Sequence, residues 1–276
     1  MDPKSPTVED VKAYWQSHPL YSYEVADVGS DAFFIQLDRI KLQDVETFAL
    51  PFWQFDQFKG RAVLDVGCGP GWFTVQYAVG GARVSAVDLT PAAVDLTKKH
   101  LKFKKTDAHV QEGNAESLPF GNESFDLVIS AGVLHHTPNT PQAFQECFRV
   151  LKRGGRAKIA LYRKGLIHSP VFFPVTRTLM KLLKVKHPGA DLAKDASSVD
   201  DFIRQYDGSG NPVGIGKTDA EWQKDLEKTG FNVEKRERHF FPRRLIPLGR
   251  FIPNVVHKLL NDVFGTLVYF ELTRPF

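Results

Sequence analysis

Between residues 61 and 162 the chain alternates short β-rich runs with longer amphipathic stretches. The runs are AVLDV (62–66), RVSAVDL (83–89), FDLVIS (125–130) and RAKIALY (156–162), with Gly, Pro, Asp or Asn at their ends. Strands alternating with helices at this spacing predict βαβ units and a parallel sheet. Upstream, DAFFIQLDRIKLQDVETFALPFWQF places Phe34, Leu37, Ile40 and Val45 about one helical turn apart, with charges between them. That pattern predicts an aromatic-rich helical arm over residues 1–60. After Tyr162 the alternation breaks. An apolar, basic segment and a Gly/Pro/Asp loop, YDGSGNPVGIGKT, occupy residues 163–217. The regular pattern returns at TDAEWQKDLEKTG, where Thr218 with Glu221 makes a capping box and Gly230 a C-cap. FNVEKRERHFF and TLVYFELTRP then read as final strands, separated by a second helical insertion at 242–264. The expected organisation is a core at 61–162, a cap insertion at 163–217, and the remainder of the core at 218–276. The arm and both insertions would cover one end of the sheet.

Composition narrows the function classes. The 276 residues are 42% hydrophobic and 25% charged, enough for one sizeable core or a core with a small cap. The net charge of +4 is too small to argue for nucleic acid. The basic excess is concentrated: no Asp or Glu occurs between Arg149 and Lys186, nor before Asp191. Cys68 and Cys147 are far apart and in no CxxC pair, which argues against a disulfide framework or a structural zinc site and fits a reducing cytosol. The start, MDPKSPTVEDVKAYW, lacks a signal pattern, and no run approaches the roughly 18 apolar residues of a spanning helix. A cytoplasmic protein without a bound metal is expected.

The strongest local signal is VLDVGCGPGWFT (63–74). A β-run ends at Val66, glycines follow at 67, 69 and 71, and a helix-like segment opens near Trp72. Such a turn lets a ligand lie against backbone, and the first amides of the helix can face an acceptor. Dinucleotide enzymes favour G-x-G-x-x-G, which this spacing does not follow. Asp65, two residues before the first glycine, would repel a pyrophosphate but could hold an ammonium. Both points turn away from a nicotinamide cofactor and toward a ligand with an amino-acid tail. Asp88 ends the next β-run, where an acid can accept hydrogen bonds from ribose hydroxyls. In EGNAESLPF, Asn114 and the backbone near Ala115 could read an adenine edge. FDLVISAGVLHH and VLKRGGRAKIALY complete five ordered elements.

Together these elements resemble class I S-adenosylmethionine-dependent methyltransferases, in particular the small-molecule branch with the ubiquinone and menaquinone C-methyltransferases. The resemblance covers residues 61–161 well and the final hairpin loosely. It implies a Rossmann-like, doubly wound, mostly parallel seven-stranded sheet with an antiparallel last strand, plus helical cap insertions. It implies S-adenosyl-L-methionine as donor and S-adenosyl-L-homocysteine as product. Asp65, Gly67, Gly69 and Gly71 would hold the methionine end, Asp88 the ribose, and Leu89 would pack on the adenine. Cys68, Trp72, Asn114, Ala115, Ser130 and Ala131 complete the implied donor site. Asn114 stands where the family usually has Asp; it keeps an acceptor oxygen for the adenine amino group.

The acceptor side is less defined. The motifs of amino-group nucleic-acid enzymes, of cytosine C5 enzymes and of metal-dependent catechol enzymes are absent, so a small molecule is favoured over nucleic acid. VTRTLMKLLKVK sets Val175, Leu179 and Leu182 on one helical face and Arg177, Lys181 and Lys184 on another. PNVVHKLLNDVF aligns Val255, Val256, Leu259, Leu260 and Val263. Such helices cap a pocket, or rest on anionic lipid as a weak peripheral contact. Candidate catalytic residues are His135 and His136 in SAGVLHHTPN, Tyr21 (or Tyr23) in the arm, and Tyr206 in a glycine-hinged loop beside Asp207. Either histidine is a general base or a packing residue against the donor. The expected activity is methyl transfer to a small, largely apolar or aromatic metabolite. The alternatives are a peripheral membrane enzyme acting on a lipid or quinone-like acceptor, and a donor-binding protein without transfer.

Overall fold

The computed structural model describes residues 5–22, 25, 27–182, 196–208, 210–240 and 249–276. Tyr23, Lys184 and parts of both insertions lie outside the described residues. Seven strands form one sheet: β1 (Ala62–Val66), β2 (Arg83–Asp88), β3 (His109–Glu112), β4 (Phe125–Ala131), β5 (Leu151–Tyr162), β6 (Asn232–His239) and β7 (Leu267–Thr273). Their order is β3-β2-β1-β4-β5-β7-β6, and β7 runs antiparallel to both β5 and β6. The remaining pairs, from β3 across to β5, are parallel.

Both faces of the sheet are covered, which is why β1 and β4 read as nearly unbroken apolar runs. Side chains alternate between the faces. Val63, Leu127 and Ile129 join a cluster with Phe33, Phe34, Leu37, Phe52 and Trp53 of the arm. Leu64, Val66 and Val128 face a second cluster with Phe144, Cys147 and Trp222. The second wall is built by α6 (Thr140–Val150) and α9 (Asp219–Thr229). In α9 the capping box of Thr218 and Glu221 is present, and Gly230 closes the helix in the left-handed conformation.

The arm contains α1 (Val8–Ser17), α2 (Asp31–Ile40) and α3 (Ala49–Trp53). Two strand features differ from the β-runs of the sequence. β3 is a four-residue strand with one buried position, Val110, too short to show a period. β5 starts five residues before the RAKIALY run, because its register against β4 shifts between Phe125↔Leu151 and Leu127↔Arg156. The intervening Lys-Arg-Gly-Gly looks like a turn in sequence yet extends the strand.

Strand order reverses between β1 and β4, so a crevice opens at their carboxyl ends, where ligands of open α/β sheets bind. The loops after β1 and β4 meet there: a Cβ on Gly67 would lie 2.4 Å from the Val133 side chain.

Candidate functional site

On one side of the crevice stands the glycine turn. Gly71 has φ +78°, and a Cβ there would come within 2.9 Å of the Thr97 backbone, so a larger residue is excluded by conformation and by contact. At Gly69 the space that a Cβ would enter is open for at least 4 Å. The turn feeds α4 (Trp72–Val79) and is braced by α5 (Pro91–Phe103). Thr97 donates its hydroxyl proton to the Gly69 carbonyl (2.9 Å), and His100 Nδ1 bonds the Pro70 carbonyl (2.9 Å).

Asp65 and Asp88 both border this turn. Asp65 is buried and accepts a 2.6 Å hydrogen bond from Thr74. Burial pushes its pKa up to about 7; the Thr74 bond opposes the shift and the charge of Asp88 adds to it. Asp88 accepts from Gly69 N–H (3.0 Å) and from both the amide and hydroxyl of Thr90 (3.0 Å each). Burial raises its pKa too, against those hydrogen bonds. Lys41 is also buried, and its positive charge opposes the rise at Asp65 without reversing it. Its ammonium lies 3.7 Å from Glu46 and over the rings of Tyr21, Trp72 and Phe73. Burial disfavours that charge, but Tyr21 and Glu46 more than offset it and raise the lysine's pKa.

The other side carries the histidines, which sit in a short 3-10 turn (Leu134–His136) after β4. His136 Nδ1 lies 2.6 Å from the Val213 carbonyl, so this nitrogen carries the proton and Nε2 is the basic one. Asp207 Oδ2 is 3.2 Å from Nε2, within ion-pair reach but misaligned for a hydrogen bond. Asp207 also accepts from the Tyr162 hydroxyl, and its carbonyl accepts from Tyr14 (2.5 Å). Burial, then Asp207, pushes the Tyr14 phenol up to about 12, so it stays a donor. His135 is fully buried with its ring 3.9 Å from Tyr162. Burial and His136 hold its pKa well below the usual range. Neither of its ring nitrogens has a hydrogen-bond partner among the described residues. Tyr206 accepts from His168 Nε2 (2.5 Å), the tautomer being set because Gly165 N–H donates to His168 Nδ1. Burial, Arg163 and Lys164 take His168 down to about 4, so it is neutral.

The sequence-derived candidates therefore fall into two groups. Asp65, Gly67, Gly69, Gly71 and Asp88 meet at the turn, and Leu89 is half-buried beside them in sequence. His135 and Tyr206 each contact the ring of Tyr162, with His136 beside His135, while Tyr21 is drawn to Lys41. Other candidates are committed to structure. Ser130 donates to the Val66 carbonyl (2.9 Å), tying β4 to β1, while Ala131 ends β4. The Trp72 indole donates to Asp38 (3.0 Å) and locks α2 onto the turn. Burial raises the Cys68 thiol, whose sulfur lies 3.3 Å from the Thr97 hydroxyl. Asn114 Oδ1 accepts from Glu116 N–H (2.9 Å), which leaves one lone pair free, and Ala115 packs on the second cluster. Sequence reasoning missed Lys41, Thr74, Thr97 and His100. Helical positions such as Thr74 and His100 carry no local signal; only the packing of α4 and α5 aims them. Among the described residues no group of His, Cys, Asp or Glu could hold a metal.

Residues 64–159 match the family described as a methyltransferase domain. That match is to a methyltransferase domain and takes in β1 to β5, about a third of the chain. A ubiquinone biosynthesis O-methyltransferase of Coxiella burnetii is 32% identical over 98 residues, 36% of this chain and 42% of that one. The biotin biosynthesis bifunctional protein BioHC of Cellvibrio japonicus is 37% identical over 116 residues, 40% of this chain and 22% of that one. The chain thus spans less than half the length of these curated relatives. In three dimensions it resembles the [4+2]-cyclase SpnF over 99% of this chain and 98% of that one, with a TM-score of 0.60 and 15% identity. The residues of the turn fit the donor of this domain class. The space beside Gly69 is open, and Gly69 N–H donates to Asp88 (3.0 Å) at its border.

Proposed function

We propose that the chain transfers a methyl group from S-adenosylmethionine to a small, largely apolar or aromatic acceptor. The observation that carries this reading is the shared edge: the glycine turn and the histidine turn touch through Gly67 and Val133 at one strand-order reversal. When bound, the donor supplies an electrophilic methyl on a sulfonium. Asp65 holds the ammonium of the methionine tail, and Asp88 accepts from the ribose hydroxyls. Lys41 sets a positive charge beside the same turn, matched to the tail's carboxylate. The rings of Trp15 and Tyr162 against His136, with Tyr206 behind Tyr162, exclude water from the reacting atoms. His136 Nε2 takes the acceptor's proton, and Asp207 beside it stabilises the resulting imidazolium. His135, kept neutral by burial, forms the wall next to Tyr162. The quinone-biosynthetic relative supports an aromatic acceptor.

The test uses methyl-labelled donor with a panel of phenols, quinols and carboxylic acids, products being read by mass spectrometry. Labelled product is expected, and His136→Gln should lower turnover of a hydroxyl acceptor about 100-fold with donor affinity unchanged. Tight donor binding with no labelled product would instead favour donor binding without transfer. Loss of donor affinity in His136→Gln would reassign that ring to packing.

A further inference from the structure

Tyr162 closes β5 and is fixed by the sheet around it. Its carbonyl accepts from the Trp222 indole (2.8 Å), and the next residue, Arg163, donates its N–H to the Thr266 carbonyl (2.7 Å). Its buried ring lies 3.9 Å from the ring of His135 and 5.3 Å from that of His136, nearly perpendicular to the latter. From this place its hydroxyl donates to the Asp207 carboxylate. Asp207 has no comparable frame of its own. It ends a single 3-10 turn (Gln205–Asp207) that follows α8 (Val199–Arg204). α8 belongs to the cap, where its Phe202 packs on Phe173 of α7 (Phe173–Leu182) at 5.2 Å. Gly208 follows at φ +130°, a conformation open to glycine and rarely to other residues. Tyr14 holds the Asp207 carbonyl (2.5 Å), but the bond from Tyr162 is the one that fixes the carboxylate. The oxygen that Tyr162 holds, Oδ2, is also the one 3.2 Å from His136 Nε2. A carboxylate at that distance favours the protonated imidazolium, and one swung away would not.

We infer that Tyr162 is a positioning residue: it holds the Asp207 carboxylate beside the basic nitrogen of His136 and so sets how readily that ring takes the acceptor's proton. This rests on the methyltransferase reading and narrows its acceptor class. The proton goes from the acceptor oxygen to Nε2, and the imidazolium so formed pairs with Asp207 until the proton is released. A base matters only where the acceptor is still protonated at working pH. The arrangement therefore serves weakly acidic hydroxyl groups, such as phenols, rather than carboxylic acids, which ionise unaided. Few other charges bear on the pair. His136 also meets His135 in its own turn, the ring of Trp15 from α1, and Asn211 and the Val213 carbonyl from the cap loop. Burial keeps His135 neutral, and burial with the charge of Asp207 keeps Tyr14 a phenol. Arg204 is engaged by Asp201 (2.6 Å) and by the Asn211 carbonyl. Among the described residues Asp207 is thus the charge in reach of His136.

Tyr162→Phe keeps the ring against His135 and removes only the hydroxyl. Turnover is compared at pH 8 with saturating methyl-labelled donor, for a weakly acidic phenol and for a nitrophenol already ionised at that pH. The weakly acidic phenol should lose about tenfold in kcat and the ionised one less than about twofold, with the donor affinity of the parent in calorimetry. A second readout needs no turnover. The His136 ring resonances, followed by NMR in the ligand-free chain, should titrate at a pH lower by about 1 in the variant than in the parent. Equal losses with the two phenols, no loss with either, or an unmoved His136 titration would overturn the proposal. A parent that gives donor heat but labels neither phenol would overturn the transfer reading. The NMR titration would then decide by itself whether Tyr162 sets Asp207 against His136.

Discussion

Asp65 concentrates the electrostatics of the site. Burial, with the charge of Asp88 adding to it, keeps the folded carboxyl near pKa 7, well above an ordinary aspartate. A carboxyl with a raised folded pKa binds more protons folded than unfolded, so its contribution to stability declines as pH rises from about 4 to 7. Asp65→Asn should therefore raise the ligand-free melting temperature by a few degrees at pH 8, read by calorimetry. The same variant should weaken donor binding about 100-fold, since the ammonium loses its counter-charge. In the parent, donor affinity should fall by up to about tenfold per pH unit below 7, because the incoming cation must displace a proton. A pH-independent affinity would mean that Asp65 does not meet the ammonium. Asp65 and Asp88 are legible in sequence because each sits at a strand end of a spaced motif. Lys41 is not, since residues 41–45 form a π-turn after α2 whose direction depends on the arm's packing.

At the level of elements, α1 is pinned at three points over the carboxyl edge. Tyr14 reaches Asp207, Lys12 pairs with Glu112 (3.0 Å), and Gln16 accepts from Ala92 N–H (3.2 Å). Lys12–Glu112 is exposed and worth little, so the Tyr14 bond carries more of the attachment. Tyr14→Phe should speed proteolysis within residues 5–20 and raise the acceptor KM, with donor affinity retained. Unchanged cleavage would show that the aromatic contacts hold the arm alone. Where α1 meets the cap loop, an open cleft of about 450 Å³ is lined by Pro6, Asp10, Ala13, Tyr14, Gly210 and Pro212. On α9, Thr218→Ala removes one side of the capping box and should cost about 1 kcal/mol in urea unfolding. That box could be read from sequence because both partners lie three residues apart.

For the molecule as a whole, the sheet is covered by an arm that packs on it through apolar residues and is linked to the loop after α8 by polar contacts. The interior strands β1, β4 and β5 are buried almost throughout, while the arm and cap meet at Tyr14, Asp207 and the histidine rings. Hydrogen exchange should be slowest in these strands and faster in α1 and α8 (Val199–Arg204). Donor addition should slow exchange at residues 67–71 and in α1. Protection confined to the turn would separate the arm from donor binding.

The core was legible from the chain alone because its signals are local: apolar runs, a glycine turn, caps, and acids at strand ends, all within a few residues of one another. The four strand runs, the α9 boundaries and the acidic border of the turn follow from that. Tertiary structure decided the rest. Which ring nitrogen of His136 carries the proton depends on the Val213 carbonyl, 77 residues away along the chain. Whether an amphipathic helix turns its apolar stripe inward or outward cannot be read from its period, which is the same in both cases. In α10 (Asn254–Phe264) packing chose outward.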